Sequence, residues 1–233
     1  MAAKTTYLLL STAGFALALQ VFQLDKTLPV SNPKEEFHAV VNTPDSVMNL
    51  LKHPKDTCDD PDANPRCCFD GMPQNLTSSL KIAPPDEPGQ RMVIKGYVFK
   101  KDGKTPCQNV LIYAYHTDAQ GEYSRKGDET GIRRRHGRLH AWARTDEHGR
   151  YAIESIRPAS YPKSKISAHI HAVVWEPGRE PYFIPEFEFA DDPFLPPAAL
   201  EKARKNPGSS GVLTLKMDKP TGILTGRRDL VLK

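Results

Sequence analysis

The sequence lacks a strong excess of charge of either sign. Its 233 residues carry 32 lysines and arginines against 28 acidic residues, a formal net charge of +4. So small a charge gives no support for a dedicated nucleic-acid binder, which needs a concentrated basic surface. The chain is 39% hydrophobic and 26% charged, as in globular proteins, so disorder throughout is also excluded.

A long hydrophobic run is missing as well. The apolar stretch at residues 7–19 is shorter than the ~20 residues that cross a bilayer. It follows Lys4 and contains Ala16-Leu17-Ala18, small residues of the kind that signal peptidase accepts. We expect residues 1–18 to be a signal peptide cleaved after Ala18, which predicts a secreted or periplasmic protein. The alternatives are an uncleaved anchor helix extended by Val21 and Phe22, or a buried helix.

Cysteine is scarce and is not arranged for a structural zinc site. The chain has four cysteines, without the paired C-x-x-C spacings of a zinc module. An even count fits an oxidising compartment, and we expect a local disulfide from Cys58 to Cys67 or Cys68. Asn75 begins an N-x-T glycosylation pattern, to which we assign no function because such patterns are common by chance.

The 21 prolines separate short apolar runs, so long helical bundles are disfavoured. From residue 92 onward apolar and polar residues alternate with a period of two, which predicts a series of short strands joined by Gly, Pro and Asp turns. Such a series is typical of an all-β sandwich. The predicted strands are 92–99, 109–116, 150–156, 167–175, 182–189, 212–217 and 222–232, and the helical candidates are 45–52 and 197–206.

The expected domain organisation follows from these patterns. After the signal peptide at 1–18, residues 19–90 form an irregular N-terminal extension that ends in the breaker-rich linker APPDEPG. Residues 91–233 then form the β-sandwich domain.

Two histidines and two tyrosines are the candidates for chemistry. His169 and His171 lie two apart on a predicted strand, so both imidazoles project from one face and could hold a metal ion. Paired histidines also occur on solvated sheet faces, so this spacing alone is weak. Tyr161 lies in a proline-flanked turn before this strand, and Tyr123 closes the loop after the strand at 109–116. Either tyrosine alone is typical of a packed ring.

Over residues 93–193 the sequence resembles the intradiol ring-cleavage dioxygenases, such as the protocatechuate and catechol enzymes. The resemblance lies in four ordered blocks: GYVFKKDGKTPCQNVLIYAYHTDAQGEY, ARTDEHGRYAIESIRPASYP, AHIH and PEFEFADDP. It implies a transthyretin-like β-sandwich core that binds a non-haem ferric ion. The matching ligand positions are Tyr123, Tyr161, His169 and His171.

The resemblance also implies the chemistry. Ferric iron is a hard cation, and two phenolate ligands offset much of its charge and favour the ferric state. Tyr123 and His169 would be equatorial ligands, and Tyr161 and His171 axial ones, with Tyr161 released when substrate binds. A catechol-like diol would then be cleaved by O₂ between its hydroxyl-bearing carbons, and both oxygen atoms would enter a dicarboxylate product.

Two pocket positions depart from the aromatic-cleaving members of that family. Ile166, beside Lys165, stands where they carry an arginine, and Glu186 stands where a glutamine is common. We therefore expect a less cationic pocket and a different or bulkier diol than a simple catecholic acid. The basic run from Arg133 to Arg138, on the loop after Tyr123, is interpreted either as a solvated surface or as a binding site for a substrate anion.

Other interpretations remain open. The same strands could form a non-catalytic transthyretin-like binding module, or a copper or zinc protein that uses His169, His171 and a third histidine. His136 and His140 are candidates for that third ligand. Trp142 and Trp175 are interpreted as core or rim residues rather than substrate stackers. The expected partners are a small catecholic substrate and O₂, without nucleic acid or a membrane span after cleavage, and the sequence leaves open whether the chain forms a homo-oligomer.

Overall fold

The computed structural model describes residue 58, residues 63–205 and residues 210–233. The predicted signal peptide at 1–18 and the predicted helix at 45–52 lie outside these residues. Within the described part, no helix is both long enough and apolar enough to cross a membrane.

The described chain consists mainly of short strands. The 3-10 helix Pro65–Phe69 precedes them, and two short α-helices lie among them, α1 (Arg133–His136) and α2 (Pro197–Lys205). The strands are β1 (Ser79–Lys81), β2 (Arg91–Phe99), β3 (Leu111–His116), β4 (His140–Arg144), β5 (Arg150–Ile156), β6 (His169–Trp175), β7 (Tyr182–Phe183), β8 (Phe187–Phe189), β9 (Val212–Leu213), β10 (Lys216–Asp218), β11 (Ile223–Arg227) and β12 (Leu230–Val231).

The strands form two mixed sheets, which confirms the predicted all-β sandwich. The first sheet has the order β1-β5-β2-β11-β10, and β12 also pairs with β2. The second has the order β4-β3-β6-β8-β9, and β7 also pairs with β6. Apolar side chains from both sheets form the main core, including Ile94 and Ile153 from the first sheet and Ile112, Ile170 and Phe187 from the second.

Three predicted strands are each split in the structure. The run at 182–189 forms β7 and β8, separated at Pro185, which has no N–H to donate to a sheet. The run at 212–217 divides because β9 joins the second sheet whereas β10 joins the first. The run at 222–232 forms β11 and β12, which pair with different parts of β2. The pattern also missed β4, which pairs with β3.

The residues before position 91 contribute to the sandwich. β1 pairs in parallel with β5, with Ser79 opposite Ala152, so the first sheet starts within the predicted extension. The 3-10 helix Pro65–Phe69 buries Cys68 and Phe69 on the outer face of the second sheet. The expected local disulfide is also present, and it joins Cys58 to Cys67.

A buried ion pair fixes the predicted linker to the loop that follows Tyr123. Glu87 is 8% exposed and accepts two hydrogen bonds from the guanidinium of Arg138, one of them at 2.8 Å. Removing one partner leaves the other charge buried without compensation. The linker is therefore held in place by a specific contact rather than free of the domain.

Replacing Glu87 with alanine is expected to lower the free energy of unfolding by roughly 2–4 kcal/mol, because Arg138 keeps its charge in a largely buried position. The matched control is Asp191→Ala, which breaks the pair between Arg157 and a carboxylate whose side chain is 60% exposed. That change should cost less than about 1 kcal/mol. Urea unfolding monitored by tryptophan fluorescence measures both, and equal losses would contradict a special role for the Glu87 pair.

A buried histidine links the two sheets. His116, on β3, is 1% exposed; its Nδ1 donates to the Thr117 carbonyl at 2.6 Å, and its Nε2 accepts from the Ser155 hydroxyl of β5 at 2.7 Å. This arrangement uses the neutral imidazole. Burial lowers the pKa of His116 to about 4.

This shift predicts acid sensitivity. Between pH ~6.5, where the unfolded histidine titrates, and the lower native pKa, the unfolded chain binds more protons, so stability falls as pH falls. The contribution of His116 is on the order of 3 kcal/mol across that window. We expect His116→Gln to be less stable at neutral pH but to lose less stability on acidification. Parallel pH-dependences of unfolding free energy in the two proteins would refute this assignment.

Candidate active site

The two predicted tyrosine ligands lie on loops that are joined to each other. Tyr123 follows a tight turn in which the Asp118 carboxylate accepts from the backbone N–H groups of Gln120 and Glu122 at 2.9 and 3.0 Å. The next loop is tied to this turn because the Thr117 hydroxyl donates to the Ala159 carbonyl at 2.7 Å. Hydrogen bonds thus hold Tyr161, two residues after Ala159, near Tyr123.

The two predicted histidine ligands project from the start of β6. They lie two residues apart, so strand alternation places both rings on the same face, as the sequence predicts. His169 is 8% exposed, and the side chain of His171 is 19% exposed. The site therefore lies at the surface of the second sheet but is mostly shielded from water.

The four side chains form a continuous series of short contacts. Tyr123 Oη lies 2.9 Å from Tyr161 Oη, which lies 3.3 Å from His169 Nε2. His169 Nε2 in turn lies 3.0 Å from His171 Nε2. Ligand atoms bound at about 2.0–2.1 Å to one ion, at angles of roughly 90–110°, stand about 2.9–3.4 Å apart. These three contacts have the spacing of neighbouring donors that share one first-row metal ion.

Hydrogen bonds orient both imidazoles with Nε2 toward these contacts. His169 Nδ1 donates to the Ser167 carbonyl at 2.7 Å, and His171 Nδ1 donates to the Glu186 carboxylate at 2.9 Å. In neutral rings, each Nε2 then presents a lone pair to the other across 3.0 Å. Two lone pairs at that distance need a proton or a metal ion between them. The second hydrogen bond of each ring is also typical of metal-binding histidines.

The surroundings disfavour a free phenolate. Burial and the hydrogen bond with Tyr161 raise the pKa of Tyr123 above its ordinary value, and the carboxylate of Glu186 adds to the effect. A cation at the donor cluster would reverse this balance, because it stabilises the deprotonated oxygen. The donor set thus suits a hard, highly charged ion better than an empty polar pocket.

Tyr115 is a residue of the site that the sequence analysis did not single out. It lies opposite His171 in the β3–β6 register, and its ring stacks on that imidazole with a centroid distance of 4.7 Å. The ring of His136 stacks against Tyr115 at 3.5 Å. The alternation within β3, which places Tyr113 and Tyr115 on one face, was the available signal, but it does not reveal the partner strand.

The two spare histidine candidates face away from the donor cluster. His136 Nδ1 is hydrogen-bonded to the Tyr113 hydroxyl at 2.9 Å, and burial lowers the pKa of His136 to about 3. His140 Nδ1 donates to the Gly137 carbonyl at 2.8 Å. In the part of the chain that the structure describes, the grouping suited to a metal at this site combines His169 and His171 with Glu186, not with a third histidine.

The remaining candidates have structural partners. Trp142 donates to the Cys68 carbonyl at 2.7 Å, and Trp175 packs on Phe69, so both tryptophans support the outer face of the second sheet. In the basic run, Arg133 donates to the Thr130 hydroxyl, and Arg138 is held by Glu87. The second and third arginines of the run are exposed. Anion binding by these two residues stays a prediction.

Ile166 and Glu186, the two pocket positions that depart from the family pattern, have different surroundings from each other. Ile166 is 51% exposed, and Lys165 beside it is exposed too. The Glu186 carboxylate contacts His171, and this hydrogen bond lowers the pKa of Glu186. A less cationic pocket stays a prediction.

Comparison with known proteins places the chain in a family. A family model described as dioxygenase matches residues 69–233. Catechol 1,2-dioxygenase 2 of Acinetobacter lwoffii is 30% identical over 145 residues, which are 49% of this chain and 50% of that protein. Catechol 1,2-dioxygenase of Acinetobacter baylyi is 28% identical over 94 residues, which are 39% of this chain and 28% of that protein. The chain thus spans half or less of these curated relatives.

Solved structures share the fold. The 3-chlorocatechol 1,2-dioxygenase of Rhodococcus opacus superposes with a TM-score of 0.51 at 20% identity, over 70% of this chain and 67% of that one. A mutant of Acinetobacter radioresistens catechol 1,2-dioxygenase gives a TM-score of 0.50 at 16% identity, over 70% and 59%. These structures therefore share the sandwich fold of this chain. From the match over residues 69–233, the chain belongs to the intradiol dioxygenase family.

Proposed function

We propose that this protein is a non-haem ferric dioxygenase that cleaves a catechol-like aromatic diol between its two hydroxyl-bearing carbons, using O₂ and forming a dicarboxylate. The observation that carries the proposal is the facing pair of imidazole Nε2 atoms, 3.0 Å apart, with two phenol oxygens beside them. Tyr123, Tyr161, His169 and His171 would hold the iron. A ferric ion there supplies a Lewis acid that binds the diol as its dianion and primes the ring for reaction with O₂.

The protein's own groups have separate tasks in this scheme. Tyr161 is half-buried. If the iron holds it as a tyrosinate, its Oη would accept a proton from an incoming diol. Tyr115 covers one face of the His171 ring and excludes water from it. Ser167 and Glu186 keep the Nδ1 protons in place, so that both Nε2 atoms stay directed at the site.

The test combines metal analysis with turnover. The purified protein should contain about one iron per chain and be burgundy from tyrosinate-to-iron charge transfer. It should consume O₂ with a catechol-like diol and place both atoms of ¹⁸O₂ in the product. Tyr161→Phe should change the colour and the turnover, whereas Tyr182→Phe, in which a half-buried hydroxyl bonded to Glu176 is lost, should change neither.

Other results of that test would favour the other interpretations. Zinc or copper in place of iron would support a different metalloprotein, and a colourless, metal-free protein that still binds a ligand would support a binding module. Full iron loading without O₂ consumption on catechols, hydroquinones or larger plant phenolics would refute the enzymatic proposal.

We also propose that the protein is exported. The disulfide between Cys58 and Cys67 supports this, because such bonds persist in oxidising compartments and are rare in the cytosol. Expression of the full chain followed by N-terminal sequencing of the mature form is the direct test. A mature protein that retains residues 1–18 would contradict cleavage.

A further inference from the structure

One carboxylate lies beside the donor cluster without belonging to it. Glu186 directly precedes β8, and its Oε1 lies 2.9 Å from His171 Nδ1. One of its oxygens lies within 4.8 Å of a ring nitrogen of both His169 and His171. The carboxylate bonds the ring nitrogen of His171 that points away from the donor cluster, and its side chain is 44% exposed, so it is open to solvent at the edge of the site.

In the part of the chain that the structure describes, no lysine or arginine forms an ion pair with this carboxylate. Among the described residues, the ion-pair partner of Glu186 is His171. Arginines on neighbouring loops are paired elsewhere: Arg157 with Asp191, and Arg138 with Glu87. A diol bound at the donor cluster would therefore lie near a negative charge that no described lysine or arginine neutralises.

The segment before β6 does not supply a fixed cation either. Ile166, three residues before His169, is an apolar side chain with half of its surface exposed. Its backbone N–H is bonded to the Ser164 hydroxyl at 3.4 Å, so the turn is closed by short polar side chains. A carboxylate carried on the ring of a substrate would have repulsion from Glu186 on one side and no fixed counter-charge in this turn.

We propose that Glu186 determines the charge of the ring substituent that the site accepts. Catechols with a neutral or cationic side chain, such as an aminoalkyl group, bind well, and catechols with a carboxylate side chain are rejected. This inference rests on the proposed function, because it concerns the substrate class of the same site. The Glu186 side chain is 44% exposed, so its charge acts through a highly polarisable, largely aqueous medium. At separations of roughly 6–8 Å and an effective dielectric constant of about 40–80, one unit charge changes affinity about two- to tenfold.

The experiment measures anaerobic binding to the iron-loaded protein, so that no turnover is needed. Three catechols of matched size serve as probes: 4-ethylcatechol, 4-(2-aminoethyl)catechol and 3,4-dihydroxyphenylacetate. Each Kd is obtained by titrating the visible charge-transfer band. In the unmodified protein the amine should bind most tightly and the carboxylate most weakly, and the difference should narrow at high salt.

Glu186→Gln removes the charge but keeps an oxygen that can accept from His171 Nδ1. The two charged probes differ by two unit charges, so the ratio of the carboxylate Kd to the amine Kd should fall by the square of the single-charge factor, about five- to a hundredfold, in this variant. The ratio is the readout because a change in the orientation of His171 would alter the Kd values of all three probes together. Glu201→Gln, which removes a charge from the exposed surface of α2, is the matched control and should leave the ratio unchanged.

The outcomes separate this inference from the function on which it rests. If 4-ethylcatechol binds and is cleaved but the three probes have equal affinities, or the ratio is the same in Glu186→Gln, the role of Glu186 is refuted and the dioxygenase proposal stands. If none of the three probes perturbs the spectrum of the iron-loaded protein, the dioxygenase proposal itself fails. The comparison at low and high salt in the unmodified protein tests the inference without any variant.

Discussion

Replacing His169 with alanine is expected to abolish both iron binding and ring cleavage, with each falling by more than about a hundredfold. His169 is the central member of the donor cluster, because its Nε2 lies within 3.3 Å of Tyr161 Oη and 3.0 Å of His171 Nε2. Alanine removes the nitrogen and opens space at a position that is 8% exposed. Neither His136 nor His140 is placed to substitute for it, since both are bonded elsewhere.

The measurements are iron content per chain, the visible charge-transfer band and O₂ uptake. The matched control is His148→Ala, which removes an exposed imidazole in the turn before β5 and should leave all three unchanged. The folded state of His169→Ala is checked by its far-ultraviolet circular dichroism. A folded variant that retains iron and colour would show that the four donors do not form the metal site.

Replacing Gly121 with alanine is expected to have the second-largest effect, although Gly121 carries no chemistry. Its φ is +83°, and a Cβ built on it would lie 2.1 Å from the Ser160 carbonyl oxygen and 3.2 Å from Pro162 Cδ. The added methyl group must therefore push apart the two loops that carry Tyr123 and Tyr161. We expect a loss of roughly 2–4 kcal/mol in stability and a more than about tenfold loss of iron affinity.

Substitution of a second glycine, Gly127, is the control that distinguishes the effect of steric overlap from that of backbone strain. Gly127 also has a positive φ, +104°, but a Cβ there would have nothing within 4 Å. Gly127→Ala should therefore cost only about 1 kcal/mol, from the strained backbone alone, and should keep its iron. Calorimetric or urea unfolding together with iron analysis distinguishes the two variants. Similar behaviour of both would mean that close packing of the tyrosine loops is not needed for the site.

The agreement between predicted and observed strand bounds differed from strand to strand. The strand predicted at 150–156 is β5 without any change of bounds, because its alternating apolar residues are buried against one core. The run at 212–217 shows the same kind of pattern, yet its two halves belong to different sheets. A period of two identifies which face is apolar, but it does not identify the neighbouring strand or the point where a strand leaves a sheet.

The sequence predicted the four donor side chains of the site but not the residues that hold them in place. Residue type and the alternation of β6 were enough to choose His169 and His171, and the resemblance added Tyr123 and Tyr161. The stacking of Tyr115 on His171 and the pairing of Glu87 with Arg138 were not foreseen. Both contacts join residues more than 50 positions apart. A local sequence pattern covers only a few residues, so it cannot reveal a contact between residues this far apart in the chain.

The sequence by itself determined which atoms are available for chemistry and how neighbouring side chains alternate along each strand, because those properties depend on residue type and on backbone geometry over a few residues. Only the tertiary structure decided that two tyrosine loops and one strand end meet within about 3 Å, and that a carboxylate is bonded to one of the imidazoles. Strand register and loop approach decided this, and both are set by the packing of residues far apart in the chain.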